Sequence, residues 1–137
     1  MSVRVPAKLR RQAEQRAEGR CEYCLFHQED TFLAHEPDHV VANQHGGATE
    51  ESNLAWACFE CNRFQGSNLS SIDSTTGNIE RLFNPRADSW GEHFQLEEAR
   101  IVPRTSIGRA TEFLLRFNAP DNIELRCLLI EAGRFQR

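Results

Sequence analysis

Four of the five cysteines fall into two C-x2-C pairs, Cys21/Cys24 and Cys58/Cys61. Each pair makes a tight turn that can aim two sulfurs inward, and two such turns complete a tetrahedron around one ion. Spacing of this kind reads as a metal site before it reads as disulfides when no secretory context is evident. The expected ion is zinc. A four-cysteine zinc site is closed to water, so its expected role is to staple the fold and not to catalyse. The thiols must bind as thiolates, which the metal enforces at neutral pH. Beside and between these pairs stand Asp38-His39, Gly46-Gly47, Asn53-Leu54 and Cys61-Asn62. An Asp-His dipeptide alone is ordinary surface polarity. Its placement between two knuckles is not.

In that order and at those spacings the segment resembles the HNH endonuclease family. Its ββα-metal motif runs Asp-His, a Gly-Gly loop, Asn-Leu, then Cys-x2-Cys-Asn. The likeness covers residues 20–66 and is nearest the zinc-ribbon branch, in which two C-x2-C pairs bracket the active site. The resemblance implies that His39 is the general base, that Asp38 and Asn62 hold one divalent cation, and that Asn53 steadies the loop that orients the base. The implied cofactors are a structural Zn2+ on Cys21, Cys24, Cys58 and Cys61, and a catalytic Mg2+ or Mn2+. Oxygen donors such as a carboxylate and an amide carbonyl suit a hard cation and leave room for water and phosphate. A histidine neutral near pH 7 can take the proton of an attacking water. Adjacent strand residues point to opposite faces, so Asp38 and His39 can share one centre only where the strand is distorted. The family's motif is distorted there. The implied substrate is a phosphodiester of nucleic acid, DNA by family precedent, cut to 5′-phosphate and 3′-hydroxyl ends.

Two positions depart from the family pattern. Gln65 stands where Lys or Arg is frequent, which weakens an expected phosphate contact and leaves Arg63 as a substitute. Ala42-Asn43 replaces a common Pro, a detail of the loop. His35 lies four residues before His39 and is a second candidate for phosphate, although a satisfied strand histidine is the commoner case. Two other readings stay open: a zinc-ribbon nucleic-acid-binding module whose catalysis has lapsed, and an assembly subunit.

The elements that must position these residues can be read from pattern. Residues 5–18 are predicted helical, with Pro6 at the first helical position and Gly19 past the end. Their cations form either a solvated face or an arm lying along a phosphate backbone. Residues 31–35 and 38–42 read as extended, 43–52 as a polar loop turning on Gly46-Gly47, 53–57 as the returning strand, and 59–65 as a short helix ending at Gly66. Residues 67–80 read as a surface loop or loose hairpin, and 93–103 as another hairpin. Trp90, His93 and Phe94 suit a packed aromatic cluster. Two helices close the chain, about 106–117 and 121–132. The second is expected to be capped by Asp121 with Glu124 and to bury Cys127. An αα-hairpin accounts for this pair more simply than a helix-turn-helix reader.

The expected whole is an α+β fold in one domain over 1–137: an HNH core at 20–66, and a C-terminal extension at 67–137 that carries a hairpin and an αα-hairpin. At 137 residues, 39% hydrophobic and 26% charged, the chain suits a folded domain and argues against disorder. No membrane span and no secretory leader is read, so a cytoplasmic chain is expected. The oligomeric state is left open, a dimer being one option. The net charge of −4 excludes a protein that coats nucleic acid through its overall field. Any contact with nucleic acid must come from local basic patches.

Overall fold

The computed structural model describes residues 4–135, which divide into two compact units. The first comprises residues up to 69 together with 84–88; the second comprises 70–83 and 89 onward. No helix among the described residues is long and apolar enough to cross a membrane.

The first unit opens with α1, Ala7–Ala17. Its sequence is a run of good helix formers, and Pro6 stands just outside it with ψ 148°, not inside as the pattern suggested. The chain leaves α1 through two left-handed residues, Glu18 and Gly19. At Gly19 φ is +75° and a Cβ would sit 2.8 Å from the His27 ring, so both backbone and space favour glycine there. Strand β1, Glu36–His39, pairs antiparallel with β2, Leu54–Ala57, placing Asp38 opposite Ala55 and His39 opposite Leu54. Helix α2, Phe59–Gln65, follows β2 directly and packs on β1. These three elements are the expected ββα unit. Residues 31–35 are not a strand: a helical turn at Gln28–Asp30 and a run of bends replace it, and pairing begins only at Glu36. The Thr31 hydroxyl bonds to the Leu33 carbonyl and closes the local turn.

Helix α1 lies against both strands. Arg10 binds Glu36 at 2.8 Å, and its guanidinium stands 5.7 Å from the Trp56 ring centre. Arg16 donates to the Leu54 carbonyl. Trp56 is held from three sides. Its backbone N–H donates to Glu22 at 2.8 Å, its indole N–H donates to Gln28 at 2.9 Å, and its carbonyl accepts from the Glu22 amide. The Glu22 carboxylate also pairs with Arg86, which arrives from the 84–88 segment. Burial pushes the Glu22 carboxyl above its ordinary value despite the Trp56 amide and the guanidiniums of Arg86 and Arg16. Its charge therefore depends on those partners.

The second unit holds two hairpins, β3 (Ser70–Ile72) with β4 (Ile79–Arg81) and β5 (Phe94–Glu97) with β6 (Arg100–Pro103). A single helical turn, α3 (Trp90–His93), precedes β5. Helix α4, Ser106–Leu115, is capped by the Thr105 hydroxyl and packs on β3, β4 and β6. The aromatic run is a core: Phe94 stands 5.2 Å from Trp90, 5.4 Å from Phe83 and 5.5 Å from Phe117, ring centre to ring centre. His93 is buried there and pairs with the Thr105 hydroxyl at 2.6 Å.

Helix α5, Pro120–Glu131, departs from expectation twice. Pro120 opens it and no side chain caps it, because a proline at the first position needs no acceptor for its missing N–H. Cys127 is exposed and not buried; Arg126 and Leu129 take the inward positions. The Arg126 guanidinium is fully buried and donates to the Ala99 and Phe117 carbonyls. Asp73 is also buried, and Arg109 of α4 clasps it with two bonds of 2.9 Å. That clasp holds the Asp73 carboxyl down at about 2.

Two outcomes follow from these ion pairs. Removing one partner of a largely buried pair strands the other charge. Arg86→Met should therefore cost about 2 kcal/mol in urea unfolding at pH 7 with zinc present, and a variant as stable as the parent would refute that role. The Asp73 carboxyl is lowered on folding, so its stabilisation is complete above the ordinary carboxylate range near 4 and is lost as pH falls through about 2. Asp73→Asn should weaken hydrogen-exchange protection of α4 at pH 6, and the deficit should vanish toward pH 2.

Candidate active site

The knuckles converge. The sulfurs of Cys21, Cys24, Cys58 and Cys61 all lie within 4.8 Å of one another, and all four residues are buried. The Cys24 and Cys58 sulfurs are 3.6 Å apart. A tetrahedral ion with metal–sulfur bonds near 2.3 Å sets sulfurs about 3.8 Å apart, so this donor set fits zinc. Each knuckle is closed by a backbone bond to its own first sulfur, from the Cys24 amide at 3.5 Å and from the Cys61 amide at 3.4 Å. The second knuckle is also the cap of α2: Cys58 stands at its N-terminus. Burial would raise the Cys21 thiol, but bonds from Cys24, Cys58 and Cys61 hold it well below its ordinary value. Hydrogen bonding to Cys21 pushes the Cys24 and Cys61 thiols well up. Four buried sulfurs at this spacing are a donor set for a cation.

Above this cluster the β1–β2 connection is built on three asparagine bonds and one glycine. The Asn53 side chain accepts from the Val41 amide and donates to the Val41 and Ala48 carbonyls, each at 2.9 Å. Gly47 passes so close to Val41 that a Cβ there would stand 1.7 Å from the Val41 carbonyl oxygen. Any other residue would pry the loop open. Gly46 supplies the left-handed turn at φ 89°. The loop carries Thr49 to His39, whose Nε2 pairs with the Thr49 hydroxyl at 2.8 Å. Partial burial lowers the His39 pKa, which favours the neutral ring near pH 7.

Asp38 is 8% exposed, and its Oδ2 is buried with no hydrogen-bond partner. Burial, then the Cys21 thiolate, raises its carboxyl to about 8. A buried carboxylate oxygen without a donor is costly in isolation and suited to a cation. Asn62 is half-buried on α2, and its side-chain amide has no hydrogen-bond partner among the described residues. Gln65, one turn on and so on the same side of the helix, is buried and donates to the Val40 carbonyl at 3.3 Å. That bond draws α2 onto β1 beside His39. The residue that departs from the family pattern is thus a brace inside the fold.

Arg63 is exposed, its guanidinium 5.7 Å from the Phe64 ring centre. His35 is 1% exposed; its Nε2 pairs with the Phe26 carbonyl at 2.8 Å, and its ring tilts against Trp56. It braces the first knuckle from inside, where a phosphate in solvent does not reach. Sequence reasoning missed Thr49, Glu22, Gln28 and Arg86. Only Thr49 carried a signal, a hydroxyl two residues past the Gly-Gly turn.

Residues 21–68 match the family model of the HNH endonucleases. The HNH segment runs from the first knuckle to just past α2, and so contains β1, β2, α2 and all four cysteines. It supports a nuclease-family function, and its four-cysteine cluster fits a zinc-ribbon HNH variant. No curated protein and no solved structure matches the chain significantly.

A zinc assay of the purified chain should find one equivalent. Cys58→Ser should abolish that zinc and, because apparent zinc binding at such sites reaches about 10 kcal/mol, should erase hydrogen-exchange protection across β1, β2 and α2. Intact protection in the metal-free variant would show that the cluster is dispensable.

Proposed function

We propose that this protein is a metal-dependent HNH endonuclease that hydrolyses phosphodiester bonds in DNA. The observation that carries the reading is the orphaned Asp38 carboxylate oxygen, next in β1 to an imidazole, inside a segment that matches the HNH family. Asp38 and Asn62 would hold a single Mg2+ or Mn2+. Bound there, the cation would offset charge on the phosphate and stabilise the leaving oxygen.

The remaining steps belong to the chain. His39 Nε2 pairs with the Thr49 hydroxyl; in the tautomer this reading requires, Nε2–H donates to that hydroxyl and Nδ1 is the free base. Nδ1 takes a proton from water as the water oxygen attacks phosphorus. The bond from phosphorus to the 3′ oxygen breaks, the leaving alkoxide takes a proton from solvent water, and a 5′-phosphate and a 3′-hydroxyl remain. Asn53 and Gly47 hold the loop that presents Thr49, so they position the base without touching substrate. Arg63, exposed on the helix of Asn62, is the phosphate contact this reading favours. The four cysteines hold zinc and take no part in the chemistry.

The test is plasmid cleavage with and without magnesium or manganese. Cutting should require the added metal. His39→Ala should lower it by about 10²–10⁴-fold with zinc content unchanged. Cutting by that variant at the parental rate would remove His39 as the base. No cutting by the parent under any divalent metal would favour the lapsed binding module, which the cysteine cluster fits equally well.

A further inference from the structure

Helix α1 lies outside the segment that matches the family, yet it packs on the two strands of the site. Its cations are sorted into two groups. Arg10 and Arg16 are paired, to Glu36 on β1 and to the Leu54 carbonyl on β2. Lys8 and Arg11 are exposed and have no ion pair or hydrogen bond among the described residues. They stand three apart, so they project from one side of the helix. Arg4, just before the helix, is exposed and unpaired as well. Gln15 continues the same stripe one turn further. Glu14, three residues past Arg11, is the acid nearest the stripe before Glu18, and its carboxylate is turned to the Gln28 amide at 2.7 Å.

The chain as a whole is acidic, with 20 acidic against 16 basic residues. A polyanion approaching it meets net repulsion, and local clusters of unpaired cations decide where it can land. We propose that the Lys8–Arg11 side of α1, with Arg4 just before the helix, is a docking surface for the phosphate backbone of duplex DNA. Residues three apart on a helix are separated by about 4.5 Å along the axis, comparable with the 3.4 Å axial step between phosphates on one strand. Two consecutive phosphates can therefore be served by this stripe. The Arg10–Glu36 bond fastens the surface to the strand that carries Asp38 and His39, so a backbone held there is held in register with that strand. Contacts of this type position a duplex without reading its sequence.

The inference rests on the nuclease reading, and binding can be separated from cutting. In a His39→Ala background, labelled duplex DNA is titrated by fluorescence anisotropy over about 50–200 mM salt. Lys8→Gln with Arg11→Gln leaves helix propensity almost unchanged, and zinc content checks the fold. The double variant should bind more weakly, and the slope of log K against log salt should shrink by about 2, near 0.9 for each lost phosphate contact. Arg100→Gln removes an exposed cation from β6 and should leave the slope unaltered. An unaltered slope in the double variant, or an equal loss in Arg100→Gln, would overturn the docking surface while the nuclease reading stood. Plasmid cleavage by the unmutated chain reports on that reading separately.

Discussion

The convergence of four sulfurs on one point is the constraint from which the first unit follows. One knuckle ends the turn after α1, and the other begins α2. Joining them fixes where β2 must run, because β2 ends one residue before Cys58. With β2 fixed, β1 is set by four register pairs, and Asp38 and His39 are set with it. A short two-stranded sheet has little stability of its own. Here the buried four-cysteine cluster, α1 and α2 supply what the sheet lacks.

Rigidity at the site is achieved mostly with polar groups. Asn53 satisfies both backbone groups of Val41, Gln65 takes the Val40 carbonyl, and Thr49 takes His39. Each bond holds a residue that neighbours the Asp-His pair, and none consumes Asp38 or the Asn62 amide. In the proposed reading, Asp38 and Asn62 would need to stay free for a cation while their surroundings are tied. His35 lies inside the fold in the same way: it bonds the Phe26 carbonyl, which also accepts from the Cys21 amide, and so supports the first knuckle.

Much of this unit was legible because its determinants are local. C-x2-C spacing, Gly-Gly and the Asn-Leu step each encode a turn or a cap, and they predicted the ββα order and the cysteine cluster. The failures share a cause. Thr31–His35 looked extended by residue type, but turn bonds closed within five residues and pre-empted pairing. Cys127 looked apolar on a helix with no clear apolar side, and Arg126 took the interior through carbonyl contacts that no local pattern announces. Glu22 with Arg86 lies 64 residues apart, a separation over which spacing carries no information.

The return of residues 84–88 to the first unit bears on how such a protein can be built and rebuilt. A fragment ending at residue 69 would contain every residue of the family motif and keep Arg16, yet lack Arg86, the guanidinium that bonds Glu22 directly. The motif in this chain therefore leans on a residue outside it. Recombination that grafted it elsewhere would have to bring a surrogate cation, or replace Glu22, before the graft could fold as it does here.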